Sequence, residues 1–229
     1  MRASKTKTEI RQEQIAEAAL VLMSRHGFKQ MNIAALARHV GVVPSAIYRH
    51  YRGRDEVLEA VLDLISRRLL ENVRAVRQES TDPLERLRRL LARHAQLICN
   101  DVAIPRVIFS EEIFSGHARR RERMYQIFQG YLKEVQKLIR EGQLRGVIRL
   151  DVPPATGSVM FLGLVQPAII LSLLSDGGFD VTAHVRRAWR LFGGMLQAGT
   201  NGGKARGHKH RPRPSSLTPE TSRQEPVNP

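Results

Sequence analysis

The sequence predicts an all-α protein, and three observations carry that expectation. Apolar residues recur at the helical period in nearly every patterned segment, and no stretch alternates at period two over the length of a strand. Glycine, proline, asparagine and aspartate stand where such helices should start and stop. Two folded parts are expected. An N-terminal three-helix domain with a helix-turn-helix occupies about residues 8–68, and a larger helical domain occupies 69–199. Residues 200–229 turn to Gly, Pro, Ser and basic side chains, too polar to bury a core, and are expected to be a disordered tail.

Thr6 with Glu9 three residues on has the form of a capping box, so the first helix starts at Thr6 or Thr8 and buries Ile15, Ala18, Ala19 and Leu22. Gly27 is its natural stop. Asn32 can cap a short second helix that carries Ile33, Leu36, Ala37 and Val40 and ends at Gly41. Pro44 suits the first turn of a third, which turns Ile47 and Tyr51 to one side and is closed by Gly53. Two short helices joined through a glycine turn make a helix-turn-helix, here over about residues 31–50.

Asp55 and Glu56 favour a helix N-terminus, and Val57, Leu58, Val61, Leu62, Ile65, Leu69 and Val73 mark a long helix to about Gln78. Asp82 and Pro83 open the next, with Leu84, Leu87, Leu91, Ala95 and Ile98 inward. A shorter piece is expected around Ile104 to Phe114. Met124, Ile127, Phe128, Tyr131, Val135, Leu138 and Ile139 trace another long helix that stops at Gly142. After a turn-rich loop to Pro154, two helices remain, one to about Ser175 and one from about Val181 to Gly199.

The chain of 229 residues carries a formal charge of +15, which favours an acidic partner. Its single cysteine, Cys99, excludes an intrachain disulfide and a cysteine-rich metal site, and suits a reducing compartment. The N-terminus lacks the apolar run of a secretory signal, so a cytoplasmic location is expected. The most apolar stretch, Val159 to Leu174, is shorter than the roughly 20 residues that span a bilayer. Gln166 and Pro167 interrupt it, and no membrane span is expected.

Within Gly41 to Leu58 the chain places Tyr48, Arg49, His50, Tyr51, Arg52 and Arg54 on little more than two turns. Arginine is seldom buried unpaired, and a solvated helix has no use for the aromatics. The combination suits a phosphate-bearing polyanion. No spacing links Cys99, His94, His117, Glu111 and Glu112 into a nucleophile with its base, and adjacent glutamates on a helix point about 100° apart. No enzyme, catalytic residue, cofactor or metal is therefore expected.

The N-terminal residues resemble the TetR (tetracycline-repressor) family of bacterial transcription regulators. The likeness rests on Ile15, Ala18, Ala19, Leu22, Gly27 and Phe28, then Ile33, Leu36, Ala37, Gly41 and Val42, then Ile47, Tyr48, His50, Tyr51 and Asp55. It implies a DNA-binding head followed by a helical ligand-binding and dimerisation domain. Relatives often begin the second helix with threonines where Met31 and Asn32 stand here, and Ala34 replaces a base-reading arginine that many of them carry. Their usual lysine near the fourth helix is Arg54.

The resemblance implies DNA contacts at Asn32, Pro44, Ser45, Ala46, Tyr48, Arg49, His50 and Arg54, with Arg49 read either as a guanine reader or a phosphate contact. Tyr48 is read as a phosphate donor or a core aromatic, and Tyr51 as buried. Lys5, Lys7 and the basic run Lys204 to Arg213 would add phosphate contacts without base reading. A small apolar effector would sit among His94, Phe109, Phe114, Phe128, Tyr131 and Phe161. Leu164, Trp189 and Phe192 are the expected homodimer interface. The partner is then a double-stranded DNA operator and the function a repressor released by its effector. The competing reading is an effector-independent DNA-organising protein with a protein partner.

Overall fold

A computed structural model of the chain describes residues 6–114 and 118–198. Lys5, His117 and the tail from residue 200 lie outside them. Among the described residues the ordered elements are α1 (Lys7–Gln30), α2 (Ile33–Val40), α3 (Pro44–Tyr48), α4 (Arg54–Glu79), α5 (Pro83–Asn100), α6 (Ala103–Ile108), α7 (Glu111–Phe114), α8 (Ala118–Leu144), α9 (Pro154–Gly163), α10 (Gln166–Leu174) and α11 (Val181–Leu196). One isolated bridge, between Ile148 and Gln197, is the only β pairing among these residues.

Local chemistry sets the starts. Thr6 accepts a hydrogen bond from the Glu9 amide at 3.2 Å while the Glu9 carboxylate accepts one from the Thr6 amide at 2.7 Å, a complete capping box. The Asn32 side chain accepts from the Ala35 amide at 2.8 Å, and Asp82 from that of Leu84 at 3.0 Å. Pro44 opens α3. Gly27 (φ 74°) breaks α1, leaving Phe28 to Gln30 as a separate short turn.

α1, α2, α3 and the first half of α4 close around Ile15, Ala19, Leu36, Ile47, Leu58, Val61 and Leu62, none more than 1% exposed. Each buried Leu or Ile contributes roughly 1.5–3 kcal/mol. The α1 stripe is turned from the expected one: Ala16, Leu20 and Met23 are buried, while Ala18 and Leu22 are half-buried. The boundary expected at residue 68 falls inside α4, which is continuous to Glu79 and also packs on α5 and α8.

Several later expectations shift. The piece expected around Ile104 to Phe114 is two short helices broken at Phe109 and Ser110. Gly142 does not stop α8. It is buried in the last turn, where an added Cβ would lie 2.4 Å from Ile148, and the reversal comes at Gly146 (φ 69°). The helix expected from Pro154 to Ser175 is split at Leu164 and Val165 into α9 and α10.

The glycine turn of the helix-turn-helix is strained for any other residue. Gly41 has φ 77° and nothing within 4 Å of where a Cβ would be, so Gly41→Ala tests backbone strain alone. Chemical denaturation should show the variant about 1–2 kcal/mol less stable, with the slope against denaturant unchanged.

Candidate functional site

α3 is held by Ile47, which is fully buried, and by Tyr51, whose hydroxyl donates to the Gln12 carbonyl at 3.1 Å. That anchoring turns the other residues outward. Pro44 and Ser45 are exposed at the start of α3, Ala46 is half-buried, and Tyr48 is 56% exposed, which removes the core reading of its ring. The helix ends sooner than expected, at Tyr48. Arg49 is its C-cap rather than a mid-helix residue, and His50 lies in the turn that follows. Arg49 is exposed and has no acidic partner among the described residues. Asn32 is exposed beside this group, its oxygen engaged as the α2 cap. Arg38, also exposed and without an acidic partner among the described residues, lies one turn beyond Ala34 on the outer face of α2. Sequence reasoning passed over it, although an arginine four residues after Ala34 is the signal that would have found it.

Arg54 does not stand free. Its guanidinium lies 4.7 Å from the centre of the Phe28 ring and donates to the Lys29 carbonyl at 3.4 Å. Arg120, from the start of α8, also lies over that ring, at 4.4 Å, and donates to Asp55 at 2.5 Å. Arg119 and Arg123 continue the contact onto Glu59, and Arg123 also bonds Asp63. Arg68 of α4 bridges Glu17 of α1 at 2.9 Å and Asp101, after α5, at 2.7 Å. Asp55 is largely exposed, so the pair alone adds no more than about 1 kcal/mol. The stacked arginine adds roughly 0.5–2 kcal/mol. The run from Arg119 to Arg123 thus ties α8 to the acidic face of α4.

A second feature is a cavity of about 30 Å³ walled by Leu69 of α4, Ile98, Ile104, Ile108, Phe128, Leu162 and Ile169, with His94, Tyr131 and Gln166 as its polar groups and Phe109 at its edge. Its volume accommodates a water molecule. Two of the expected residues are elsewhere: Phe114 is 57% exposed, and Phe161 packs into the core with its ring centre 6.4 Å from that of Phe192. His94 Nδ1 and the Tyr131 hydroxyl are 3.0 Å apart, satisfying both polar groups inside an apolar shell. Burial pushes His94 down to about 4 and raises Tyr131 well above the ordinary phenol range.

The third feature is an unpartnered apolar face. Phe192 is 3% exposed and belongs to the chain's own core, while Leu164 and Trp189 are half-buried. Expecting Phe192 at an interface therefore placed the wrong side of α11 outward. The exposed apolar residues of these helices are Leu191 and Met195 of α11, Val159 and Met160 of α9, and Ile170, Leu171 and Leu174 of α10. Pro154–Leu174 spans 21 residues and holds an 18-residue window of mean hydropathy 2.0, long and apolar enough to cross a bilayer, contrary to the shorter window read from the sequence. It is interrupted at Leu164 and Val165, and Phe161, Leu162, Val165 and Ala168 are buried in the chain's own core.

Residues 15–61 match the bacterial regulatory proteins of the tetR family, and residues 65–194 match the C-terminal region of YsiA-like proteins. The chain belongs to the TetR family. It is accordingly a DNA-binding transcription regulator built on a helix-turn-helix. Its relatives include the nucleoid occlusion factor SlmA of Vibrio campbellii, 24% identical over 195 residues that cover 85% of this chain and all of that protein. SlmA of Vibrio atlanticus is 28% identical over 205 residues, covering 84% and 98%. Among solved structures, the fatty acid degradation regulator FadR of Bacillus halodurans has a TM-score of 0.71 at 22% identity, over 82% of this chain and 96% of that one. FadR of Bacillus subtilis in complex with stearoyl-CoA has a TM-score of 0.68 at 17% identity, over 80% and 98%. These two share the TetR-family fold with the present chain.

The buried histidine gives this TetR-family protein a pH signature. The folded state holds His94 neutral down to about pH 4, whereas the unfolded chain takes up a proton near its ordinary 6.5. Stability from this group is complete above pH 6.5 and is lost as the pH falls toward 4, by about 3 kcal/mol in all. Denaturation midpoints between pH 7.5 and 4.5 should fall less steeply for His94→Gln than for the parent, and equal slopes would mean that His94 takes up its proton at the same pH in the folded and unfolded chain.

Proposed function

We propose that the chain is a homodimeric, sequence-specific repressor whose hold on its operator is released by a small, largely apolar effector. The observation that carries the reading is the outward set on and around α3: Ser45, Tyr48 and Arg49 are exposed while Ile47 and Tyr51 are locked beneath them. A short helix presented in this way enters a major groove, with its first residues toward base edges and flanking side chains on phosphates. Asn32, Pro44, Ser45, Ala46, Tyr48, Arg49 and His50 are assigned to the DNA, with Arg38 added. Arg54 is assigned to fixing Phe28 and the start of α4.

The exposed face of α9, α10 and α11 supports the dimer, because an apolar patch of this kind is covered in a soluble regulator by a second copy. The cavity supports the effector. It is apolar with a few convergent polar groups, and Leu69 in its wall belongs to the helix that closes the reading head. At about 30 Å³ it takes a larger ligand only if α6, α8 and α10 move apart. That movement would reach the head through α4 and through Arg120 on Phe28. Differential affinity for the widened state is then the source of release. Since a structural relative is complexed with stearoyl-CoA, an acyl chain is the first effector to try. The likeness to SlmA and the tightness of the cavity favour a second reading, an effector-independent DNA-organising protein.

Selection from random duplexes should yield a palindrome with half-sites one or more helical turns apart. Arg49→Ala should lose about 1–3 kcal/mol of discrimination against a substituted pair in each half-site. Tyr48→Phe should weaken all duplexes alike and leave the salt dependence unchanged, since a neutral hydroxyl releases no counterion. An unchanged operator-to-random ratio in Arg49→Ala would make that residue a phosphate contact. Leu191→Glu with Met195→Glu should turn a sedimenting dimer into a monomer that no longer holds the palindrome. A variant that stays dimeric would place the interface elsewhere.

A further inference from the structure

α11 has two flanks of opposite character. Leu191 and Met195 lie on one, and the other faces α5 across an open groove of about 960 Å³. The floor of that groove is Leu91 and Ala95 of α5 with Val185 and Trp189 of α11. Along its rim stand Arg186, Arg187 and Arg190, all exposed, and Arg88 faces them from α5. Arg88 is neutralised by Glu85 through paired bonds of 2.6 Å. The three arginines of α11 have no acidic partner among the described residues, and α11 contains no acidic residue. Like charges at i and i+4, as at Arg186 and Arg190, repel each other. Arg77, Arg86, Arg89 and Arg93, by contrast, are each paired with a glutamate.

The geometry points to this groove as a docking site for an acidic amphipathic helix of another protein. Two near-neighbour helices with a trough between them accept a third helix in the trough, apolar side down. The lining runs from Arg88 to Asn100 on α5, a length of about 18 Å at 1.5 Å per residue, which suits a partner helix of three to four turns. Its apolar stripe would cover Trp189 and Val185, and carboxylates four residues apart along its edge would meet Arg186 and Arg190. A tryptophan flanked by arginines is the composition of an interface hot spot. The chain's own basic run, Lys204 to Arg213, has the wrong charge to fill the groove. Duplex DNA is broad and convex: it would touch the arginines and leave the apolar floor uncovered.

The test uses the full chain and a fluorescein-labelled 14-residue helical peptide with a leucine stripe flanked by glutamates. Two control peptides replace the leucines with glutamine or the glutamates with lysine. Anisotropy should show micromolar binding of the acidic amphipathic peptide, weakened at least tenfold by the glutamine control and at least tenfold by Arg186→Glu with Arg190→Glu. The lysine control should prefer that charge-reversed variant. Cys99, the sole cysteine, lines the end of the groove, so its reaction with a thiol reagent should slow when the peptide saturates the protein. Arg186→Gln with Arg190→Gln serves should the reversed variant melt early. Equal binding by parent and variants, or equal binding of the leucine and glutamine peptides, would overturn the proposal. So would a parallel loss of affinity for random duplex in the variants, which would make the rim a DNA surface.

Discussion

Helix α4 cannot bury its apolar residues against a single partner. Over Arg54–Glu79 it carries nine buried side chains, of which Leu58, Val61 and Leu62 close the core of the reading head and Leu69, Val73 and Val76 lie in the core of the larger helical region. An apolar stripe that runs the length of so long a helix needs a partner at every turn, with the acidic side left outward. Its neighbours are arranged by that requirement. The head is completed by the first turns of α4, and the rest of the bundle is laid along what remains.

Because the same helix serves both regions, anything that tilts α4 moves the head. Two contacts bear on it from the opposite end of the problem. Leu69 forms part of the cavity wall, and Asp55, Glu59 and Asp63 present an acidic stripe to the arginines that begin α8. Phe28 lies where Arg54 and Arg120 both reach its ring, joining the end of α1 to the starts of α4 and α8. Individually these are weak interactions. Together they replace flexible side chains at a joint with a defined geometry, which is what transmission of a small displacement needs.

The parts of the fold that were legible in the sequence are those fixed by chemistry a few residues long. Thr6 and Glu9 spell a capping box, Asn32 a cap, Pro44 a first turn and Gly41 a left-handed corner, and each is found as such. Tyr51 was legible as a buried aromatic through resemblance. What escaped depends on which face of a helix meets which neighbour. Phe161 and Phe192 pack on each other, and Phe114 faces solvent, because the choice of side is made by packing across the bundle rather than along the chain. Gly142 read as a stop, yet its role is to let Ile148 approach. The arginine run at the start of α8 went unread, because its acidic counterpart sits some sixty residues earlier. The stacking of Arg54 on Phe28 escaped for the same reason, since nothing in its neighbourhood of sequence reveals that ring.

Arg120 at Phe28 and Asp55 fixes the reading head on the helical body. That attachment can be measured as a distance. With Cys99→Ser as background and a spin label on Ala34→Cys, an exposed position of α2, pulsed dipolar spectroscopy reports the separation of the two heads in the proposed homodimer. The account predicts one narrow distribution for the parent and a markedly broader one when Arg120→Ala is added. Distributions of equal width, or the absence of any dipolar signal from the parent, would contradict it.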